Sequence, residues 1–391
     1  MAVVRTRHVP RLLGSALLGR LPTGMAALAL VLLVRERGGG YALAGLLAAV
    51  YAAGTAAGGP LLARLVDRTR QAPVLIGGAL ASAAGFGLLA VAAPDHRALA
   101  LLAAAIAGLA TPPLEPCLRA LWPEVLPPGA AALHSAYALD AALQEVIFVA
   151  GPLLVLAGVA VAGPGGGVLA AGLFGIAGAL VFASAEPSRQ WRTTVTERHW
   201  AGPLRSGPLR RLLLALVLIG GTVGSFTVTI TAYAEQSGSR SLAGWLVAAN
   251  ALGALAGGLY YGTRRPAARP ARRLTLLVAA LGLGYAPLAL TPGPALMTPL
   301  AILSGLALPA VLTCTFVLVD SLAPNGTVTE AFAWVVTSFL VGSSAGSAAA
   351  GVLVERFDPS VAFGVGAGYA VLATLLVLRP LTARGPAATS P

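Results

Sequence analysis

The chain repeats itself at an interval of nearly 200 residues. Residues 43–59 read LAGLLAAVYAAGTAAGG and residues 242–258 read LAGWLVAANALGALAGG, and ten of the seventeen positions are identical. A second pair of segments, 108–129 and 305–326, aligns two prolines and a cysteine in the same order. A unit that occurs twice in the same order predicts two halves of similar structure, related as a parallel repeat.

The composition is that of a membrane protein. Hydrophobic residues make up 57% of the chain and charged residues 10%, with a mean hydropathy of +0.83. Apolar stretches of about 18 to 26 residues recur, each long enough to cross about 30 Å of hydrocarbon as a helix. Strands of a membrane barrel would be about ten residues long with alternating polarity, which the sequence lacks. The sequence therefore predicts an all-α membrane protein.

We expect twelve membrane-spanning helices, numbered helix 1 to helix 12, at 12–34, 42–63, 73–93, 98–121, 132–157 and 165–184, then 211–233, 242–262, 274–291, 295–320, 329–354 and 360–378. They predict an N-terminal six-helix bundle at 1–184 and a C-terminal six-helix bundle at 211–391. A polar, basic segment at 185–210 joins the two as a central cytoplasmic loop, and a tether explains its composition better than a catalytic domain.

The distribution of arginine predicts the orientation in the membrane. All 26 basic residues are arginine and the net charge is +12. Most of them lie at the N-terminus, the C-terminus and the connections from even-numbered to odd-numbered helices, including Arg264, Arg265, Arg269, Arg272 and Arg273. By the positive-inside rule both termini are cytoplasmic, with no need for a nucleic-acid partner. We expect a bacterial cytoplasmic membrane protein whose first helix is retained.

Nothing in the sequence predicts an enzyme or a resident cofactor. It contains no nucleotide-binding loop, no cluster of histidine and cysteine, and no catalytic Ser–His–Asp set. The two cysteines, Cys117 and Cys314, fall within helices 4 and 10, which is not the pattern of a disulfide framework or a metal site.

The chain resembles the major facilitator superfamily of transporters over essentially its whole length. The parallel repeat of six helices carries the resemblance, together with the loop after helix 2, GGPLLARLVDRTRQAPVL. This loop is similar to the family signature G-x-L-a-D-R-x-G-R, with Asp67 and Arg68 as its acidic–basic core. Ala63, Arg70 and Gln71 depart from it. The resemblance implies that the chain is a transporter akin to the bacterial drug and metabolite efflux permeases.

Four residues are candidates for a cytoplasmic gate. The resemblance implies that Asp67 is a latch that holds the cytoplasmic end of helix 11 in one state, with Arg68 beside it. Asp320 and Glu330 lie near the ends of helices 10 and 11. The alternative is that these side chains are solvated, with Glu330 stabilising the N-terminus of its helix.

Five charged residues lie inside the predicted spans rather than at the span ends, and all five are in the first half. They are Arg20 in helix 1, Glu115 and Arg119 in helix 4, and Asp140 and Glu145 in helix 5. Their repeat partners in the second half are apolar, so the shared fold does not require the charges. Because each costs about 2.5–3.5 kcal/mol at the centre of a spanning helix, they are functional candidates.

Spacing predicts how these charges pair. Glu115 and Arg119 are four residues apart and share a helix face, and Arg20 lies at about the same depth as Asp140. Glu145 is then the deepest acid without an evident base, and it is our candidate for a group that exchanges a proton. The alternative is a purely structural network that joins helices 1, 4 and 5.

Polar and aromatic residues within the spans are candidates to line a substrate cavity: Thr23, Tyr51, Tyr137, Thr222, Ser225, Asn250 and Trp334. Each has the alternative of a packing role. Gly151 and Pro152 of helix 5 resemble the core of the family's antiporter motif, but close packing explains them equally well.

The sequence predicts a secondary active transporter that couples the export of small amphipathic compounds to protons by alternating access. The alternative is a proton-coupled importer of a polar nutrient such as a sugar or organic acid, and a more remote one is a non-transporting membrane sensor. The expected partners are a small-molecule substrate, protons and membrane lipid, with the chain acting as a monomer.

Overall fold

The computed structural model describes residues 3–192 and 199–378, which are almost entirely helical and contain no strand. Twelve helices in this part of the chain are long and apolar enough to cross a membrane. Their observed bounds are Val9–Glu36, Tyr41–Arg68, Gln71–Ala92, Arg97–Val125, Ala130–Ala162, Gly166–Ala183, Gly207–Gln236, Ser241–Gly262, Pro270–Leu290, Pro294–Leu322, Val328–Arg356 and Pro359–Leu378. The predicted fold class is confirmed. Residues 193–198 of the predicted central loop, and the C-terminal segment 379–391, lie outside the described residues.

Helices 4 and 10 are each interrupted near the middle, where the sequence predicts a continuous span. Helix 4 consists of Arg97–Leu109 and Leu114–Val125. The break falls at Pro112 and Pro113, because proline supplies no backbone N–H and disfavours a helical residue before it. Helix 10 is likewise split into Pro294–Gly305 and Leu308–Leu322.

The described chain separates into two compact units. The first comprises Met1–Pro128, Leu143–Gly202 and Asn325–Thr337, and the second comprises Gly129–Ala142, Pro203–Pro324 and Ser338–Pro391. The start of helix 5 thus belongs to the second unit, and the start of helix 11 belongs to the first. The bundle bounds 1–184 and 211–391 remain a prediction.

Both units use the same helix pairs. In the first, helix 1 packs against helix 6, helix 2 against helix 4, and helix 3 against helices 4 and 6. In the second, helix 7 packs against helix 12, helix 8 against helix 10, and helix 9 against helices 10 and 12. Each pair in the second unit is the repeat equivalent of a pair in the first.

Glycines explain why the repeat is strongest in helices 2 and 8. A Cβ atom at Gly54 or Gly58 would overlap the backbone of Leu109 in helix 4. Their repeat partners, Gly253 and Gly257, lie equally close to the backbone of helix 10. Without a hydrophobic driving force between helices in lipid, small residues stabilise a pair by allowing this close approach.

Candidate functional site

Buried charges connect helices 1, 4 and 5 within the first unit. Arg20 forms an ion pair with Glu115, with 2.9 Å between Nη2 and Oε2. Arg119 pairs with Oε1 of the same carboxylate, as the four-residue spacing predicts. Arg20 also donates a hydrogen bond to the side-chain oxygen of Gln144 in helix 5. Both arginines are buried, with 5% and 2% of their surface exposed, so Glu115 lies between two guanidinium groups.

The two acids of helix 5 have different surroundings. Asp140 is fully buried and belongs to the second unit. Glu145 belongs to the first unit and is half-buried. It makes no hydrogen bond or ion pair with any described residue, although the adjacent Gln144 contacts Arg20. Glu145 is therefore an acid within a spanning helix that has no fixed counter-ion among the described residues.

Close packing orients helix 5, which carries Glu145, against helix 1. A Cβ atom at Gly151 would lie 2.6 Å from the backbone of Gly24, and one at Gly24 would lie 2.6 Å from the Ile147 carbonyl oxygen. Gly151 thus has a packing role, which accounts for its place before Pro152 without reference to antiport. The contact places the face of helix 5 that carries Gln144 and Ile147 against helix 1.

A second cluster joins the end of helix 2 to the start of helix 11 in the first unit. The two carboxylate oxygens of Asp67 accept hydrogen bonds from the backbone N–H groups of Thr329 and Glu330, at 3.2 and 2.8 Å. About two turns further along helix 11, Thr337 donates to the Ala56 carbonyl at 2.9 Å. The first amides of a helix lack partners within the helix, so a buried carboxylate is well suited to bind them.

The carboxylate of Glu330 lies at the centre of this second cluster. Arg64 donates to it through Nε and Nη2, at 2.9 and 2.5 Å, and the indole of Trp334 donates at 3.3 Å. The backbone of Gly202, from the central loop, lies so close that a Cβ there would be 2.7 Å from the carboxylate. We name these side chains, Asp67, Arg64, Glu330 and Trp334, the helix 2–11 latch.

The other two gate candidates are not members of the helix 2–11 latch. Arg68 is exposed and makes no ion pair with a described residue. Asp320 is half-buried in the second unit and has no described hydrogen-bond partner. Gln71 donates to the Cys117 carbonyl. Sequence reasoning missed Arg64 and Gln144. The available signals were the position of Arg64 one turn before Asp67, and the amide of Gln144 inside a span.

The repeat equivalent of the latch lies in the second unit, where the start of helix 5 meets the end of helix 8. Nε2 of His134 lies 3.1 Å from the Tyr261 carbonyl oxygen, and Ser135 donates to the Gly262 carbonyl at 3.2 Å. The ring of His134 also lies against that of Tyr261, with 4.9 Å between centroids. The free backbone groups at the end of helix 8 are carbonyls, so the donors His134 and Ser135 take the place that the acid Asp67 has in the latch.

Several predicted cavity residues in the second half are engaged in packing. Thr222 donates to the Gly366 carbonyl of helix 12 at 2.9 Å, and Ser225 donates to the Thr222 carbonyl. Asn250 donates to Ser304 of helix 10 at 2.8 Å. Thr222 and Asn250 therefore stabilise helix pairs within their own unit, whereas Ser225 bonds within helix 7.

The remaining cavity candidates have aromatic or backbone partners. Thr23 donates to the Arg20 carbonyl at 2.7 Å, one turn back along helix 1. Tyr51 packs against Phe86, with 5.6 Å between ring centroids, and Tyr137 packs edge-on against Phe316 at 5.8 Å. A role for any of these residues in binding substrate remains a prediction.

Comparison with known proteins identifies the family. The family model described as Major Facilitator Superfamily matches residues 12–329 and 212–391. The chain belongs to the Major Facilitator Superfamily. No curated protein sequence matches it.

Solved structures of Major Facilitator Superfamily type share the fold at low sequence identity. A bacterial homologue of the iron transporter ferroportin, in an outward-facing state, has a TM-score of 0.74 at 16% identity, over 95% of this chain and 99% of that one. The human organic anion transporter MFSD10 has a TM-score of 0.71 at 16% identity, over 94% and 99%. FucP in the outward conformation has a TM-score of 0.67 at 14% identity, over 95% and 98%. At this identity the similarity shows the fold alone.

Membership of the Major Facilitator Superfamily makes this chain a multi-pass membrane transporter. Its two charge clusters lie at different levels of the fold. The Arg20–Glu115–Arg119 network lies within helices 1 and 4, whereas the helix 2–11 latch lies where helix 2 ends and helix 11 begins.

Proposed function

We propose that this protein exports small amphipathic compounds in exchange for protons, by alternating access across a bacterial cytoplasmic membrane. One observation carries the proton coupling: Glu145 lies within a spanning helix without a described counter-ion, whereas Glu115 has two. A guanidinium favours the charged form of a nearby carboxyl group, whereas a carboxyl group with no fixed cation beside it is better suited to take up and release a proton.

The position of Arg20 supports a simple cycle for Glu145. Arg20 contacts Gln144, and Glu145 is the next residue, about 100° further around the helix. To bring Glu145 to the guanidinium in place of Gln144, helix 5 would turn by about this angle and change its packing against helix 1 at Gly24 and Gly151. Apolar surroundings favour the neutral acid and a guanidinium favours the carboxylate, so such a movement would release the proton.

The polar groups of the second half favour an amphipathic substrate over a polar one. Thr222 and Asn250 bond to neighbouring helices and Ser225 bonds within its own helix, so these side chains are already engaged and less suited to bind the hydroxyl groups of a sugar. For this reason the import of a polar nutrient ranks second.

The side chains of the described residues do not favour iron as a substrate, although the fold is similar to that of an iron transporter homologue. Among the described residues, no group of three or more histidine, cysteine, aspartate or glutamate side chains is placed to hold a metal ion. The proposed substrates are therefore organic compounds, and the proposed partners are protons and lipid, with the monomer as the active form.

The substitution Glu145→Gln tests the proposal in proteoliposomes of the full-length protein. The measurement is the uptake of ethidium driven by an imposed pH gradient, and its exchange without a gradient. Fucose serves as the probe for the import alternative. We expect Glu145→Gln to retain exchange but to lose gradient-driven accumulation, because glutamine preserves the shape and does not titrate.

Matched variants separate proton coupling from structure. Glu235→Gln changes an exposed glutamate at the end of helix 7 and should behave as the wild type. Asp140→Asn tests the other acid of helix 5. If Glu145→Gln and Asp140→Asn both pump at the wild-type rate, the proposed proton site is wrong. If both fail to fold, the network is structural. Transport of fucose but not ethidium would favour the importer.

A further inference from the structure

An open groove runs between helices 7 and 12 in the second unit. Its volume is about 520 Å³, and Arg211, Leu218, Leu372, Leu375 and Leu376 line it. Arg211 lies in the first turns of helix 7, and the three leucines of helix 12 lie in its last two turns. The groove therefore occupies the end of the helix pair at which helix 7 begins and helix 12 ends.

The side chain of Leu218 lines the groove at a position where the two halves of the chain differ. Helices 7 and 12 approach closely further along, where Thr222 donates to the Gly366 carbonyl and Gly221 packs against the ring of Tyr369. Gly19 is the repeat partner of Leu218, and a Cβ atom there would lie 2.2 Å from the Leu114 side chain and 3.3 Å from the backbone of Gly178 in helix 6. In the second half the equivalent place holds a leucine, whose side chain lines the groove. The side chain that lines the groove at this position is therefore specific to the second half.

The chemistry of the groove changes along its length. Leu372, Leu375 and Leu376 follow the spacing that aligns side chains on one helix face, and Leu372 and Leu375 are 51% and 56% exposed. In a membrane these leucines face acyl chains. At the other end, Arg211 adds a guanidinium, and the exposed Arg210 and Arg205 precede it. An apolar wall that ends in a basic cluster matches a lipid acyl chain that ends in a phosphate.

We propose that this groove is a binding site for an anionic phospholipid, with one acyl chain along the leucines and the headgroup phosphate on Arg211. A guanidinium is suited to this task because its planar donors match phosphate oxygens in pairs. An anionic lipid is favoured over a zwitterionic one, since the arginine cluster attracts net negative charge and repels a choline group. One arginine near the membrane surface raises the affinity of such a site for an anionic lipid roughly fivefold.

The test is photo-crosslinking in proteoliposomes of the full-length protein. The probe is phosphatidylglycerol with a diazirine on one acyl chain, and labelled peptides are identified by mass spectrometry. We expect labelling of the segment that contains Leu372 and Leu375, with unlabelled phosphatidylglycerol competing several-fold better than phosphatidylcholine. Arg211→Gln should reduce that preference about fivefold. Leu372→Trp, which fills the groove, should abolish labelling by either lipid.

Two control variants keep the outcome specific. Arg272→Gln removes an exposed arginine at the start of helix 9, and Leu283→Trp enlarges a leucine that is 74% exposed on the same helix. Neither should alter labelling at helix 12. Equal competition by both lipids in the wild type would overturn the proposal. So would an unchanged preference in Arg211→Gln, which removes only a partly exposed charge, or displacement of the lipid by glycerol 3-phosphate alone.

Discussion

The side chain of Glu330 is 2% exposed, and its carboxylate is contacted from three directions. Arg64 donates two hydrogen bonds, Trp334 donates one, and the backbone of Gly202 lies against it. A buried carboxylate is stabilised only while such donors are present. The three partners come from helix 2, helix 11 and the central loop, so the contacts of Glu330 depend on the positions of all three segments.

Removal of the guanidinium should therefore destabilise the helix 2–11 latch. We expect Arg64→Gln to lower the stability of the detergent-solubilised protein by about 2 kcal/mol, because a buried charge loses its strongest donors. Thermal unfolding followed by tryptophan fluorescence measures the effect. Arg68→Gln removes an exposed arginine four residues later and should change little. Equal shifts in both variants would contradict a specific role for Arg64.

Gly202 provides an independent test of the same contact. Its φ is +49° and an added Cβ would lie 2.7 Å from Oε2 of Glu330. We expect Gly202→Ala to destabilise the protein by about 1–3 kcal/mol, through both backbone strain and overlap with the carboxylate. In Gly59→Ala, nothing lies within 4 Å of the new methyl group, so the same thermal assay should show no loss. A neutral Gly202→Ala would mean that the loop does not lie on Glu330.

At the level of the helices, the chain forms one kind of contact twice. The start of helix 11 binds the end of helix 2 through Asp67, and the start of helix 5 binds the end of helix 8 through His134 and Ser135. Helices 5 and 11 are repeat equivalents, as are helices 2 and 8. The polarity of the helix end determines the side chain: amides are bound by a carboxylate, and carbonyls are bound by donors.

We expect Asp67→Asn to loosen the first turn of helix 11 without disturbing the rest of the chain. Asparagine keeps one acceptor but loses the negative charge that stabilises a helix N-terminus. We expect the first turn of helix 11 to lose about 1 kcal/mol of local stability, which corresponds to roughly fivefold faster exchange of its amides. Hydrogen–deuterium exchange of the peptide that contains Thr329 and Glu330 measures this directly. Asp95→Asn, at an exposed loop position, is the matched control. Unchanged exchange in Asp67→Asn would show that the capping bonds contribute little.

For the whole molecule, the distribution of arginine predicts the orientation in the membrane. The positive-inside rule places the basic loop between helices 8 and 9 in the cytoplasm and the loop between helices 7 and 8 outside. Cys117 and Cys314 are both buried, so an introduced surface thiol can be detected above a low background. Ala268→Cys and Ser239→Cys place one on each loop at exposed positions.

In intact bacterial cells, a membrane-impermeant maleimide should label Ser239→Cys and leave Ala268→Cys unlabelled until the cells are lysed. The physical reason is that a chain rarely translocates short loops rich in arginine. The reverse pattern would invert the proposed orientation, and with it the cytoplasmic assignment of the helix 2–11 latch.

Much of the architecture could be predicted because its signals are local. Each of the twelve apolar stretches can be recognised from its own short segment of sequence, and the repeat is visible when the two halves are aligned. The glycines at positions 54, 58, 253 and 257 mark close helix pairs in both halves. The pairing of Glu115 with Arg119 follows from a spacing of four residues. Helix 4 was predicted as one continuous span, so its interruption at Pro112 and Pro113 was missed.

The long-range contacts could not be predicted in the same way. Arg64 and Glu330 are 266 residues apart, and Arg20 and Gln144 are 124 residues apart. Which arginine reaches which acid depends on the rotation and depth of helices, and several side chains of the right type were available at each place. The sequence alone therefore determined the membrane helices, their number and their duplication, since hydropathy and periodicity act within one helix. Only the tertiary structure decided which charges meet, because packing between distant helices fixes the angles at which their side chains face one another.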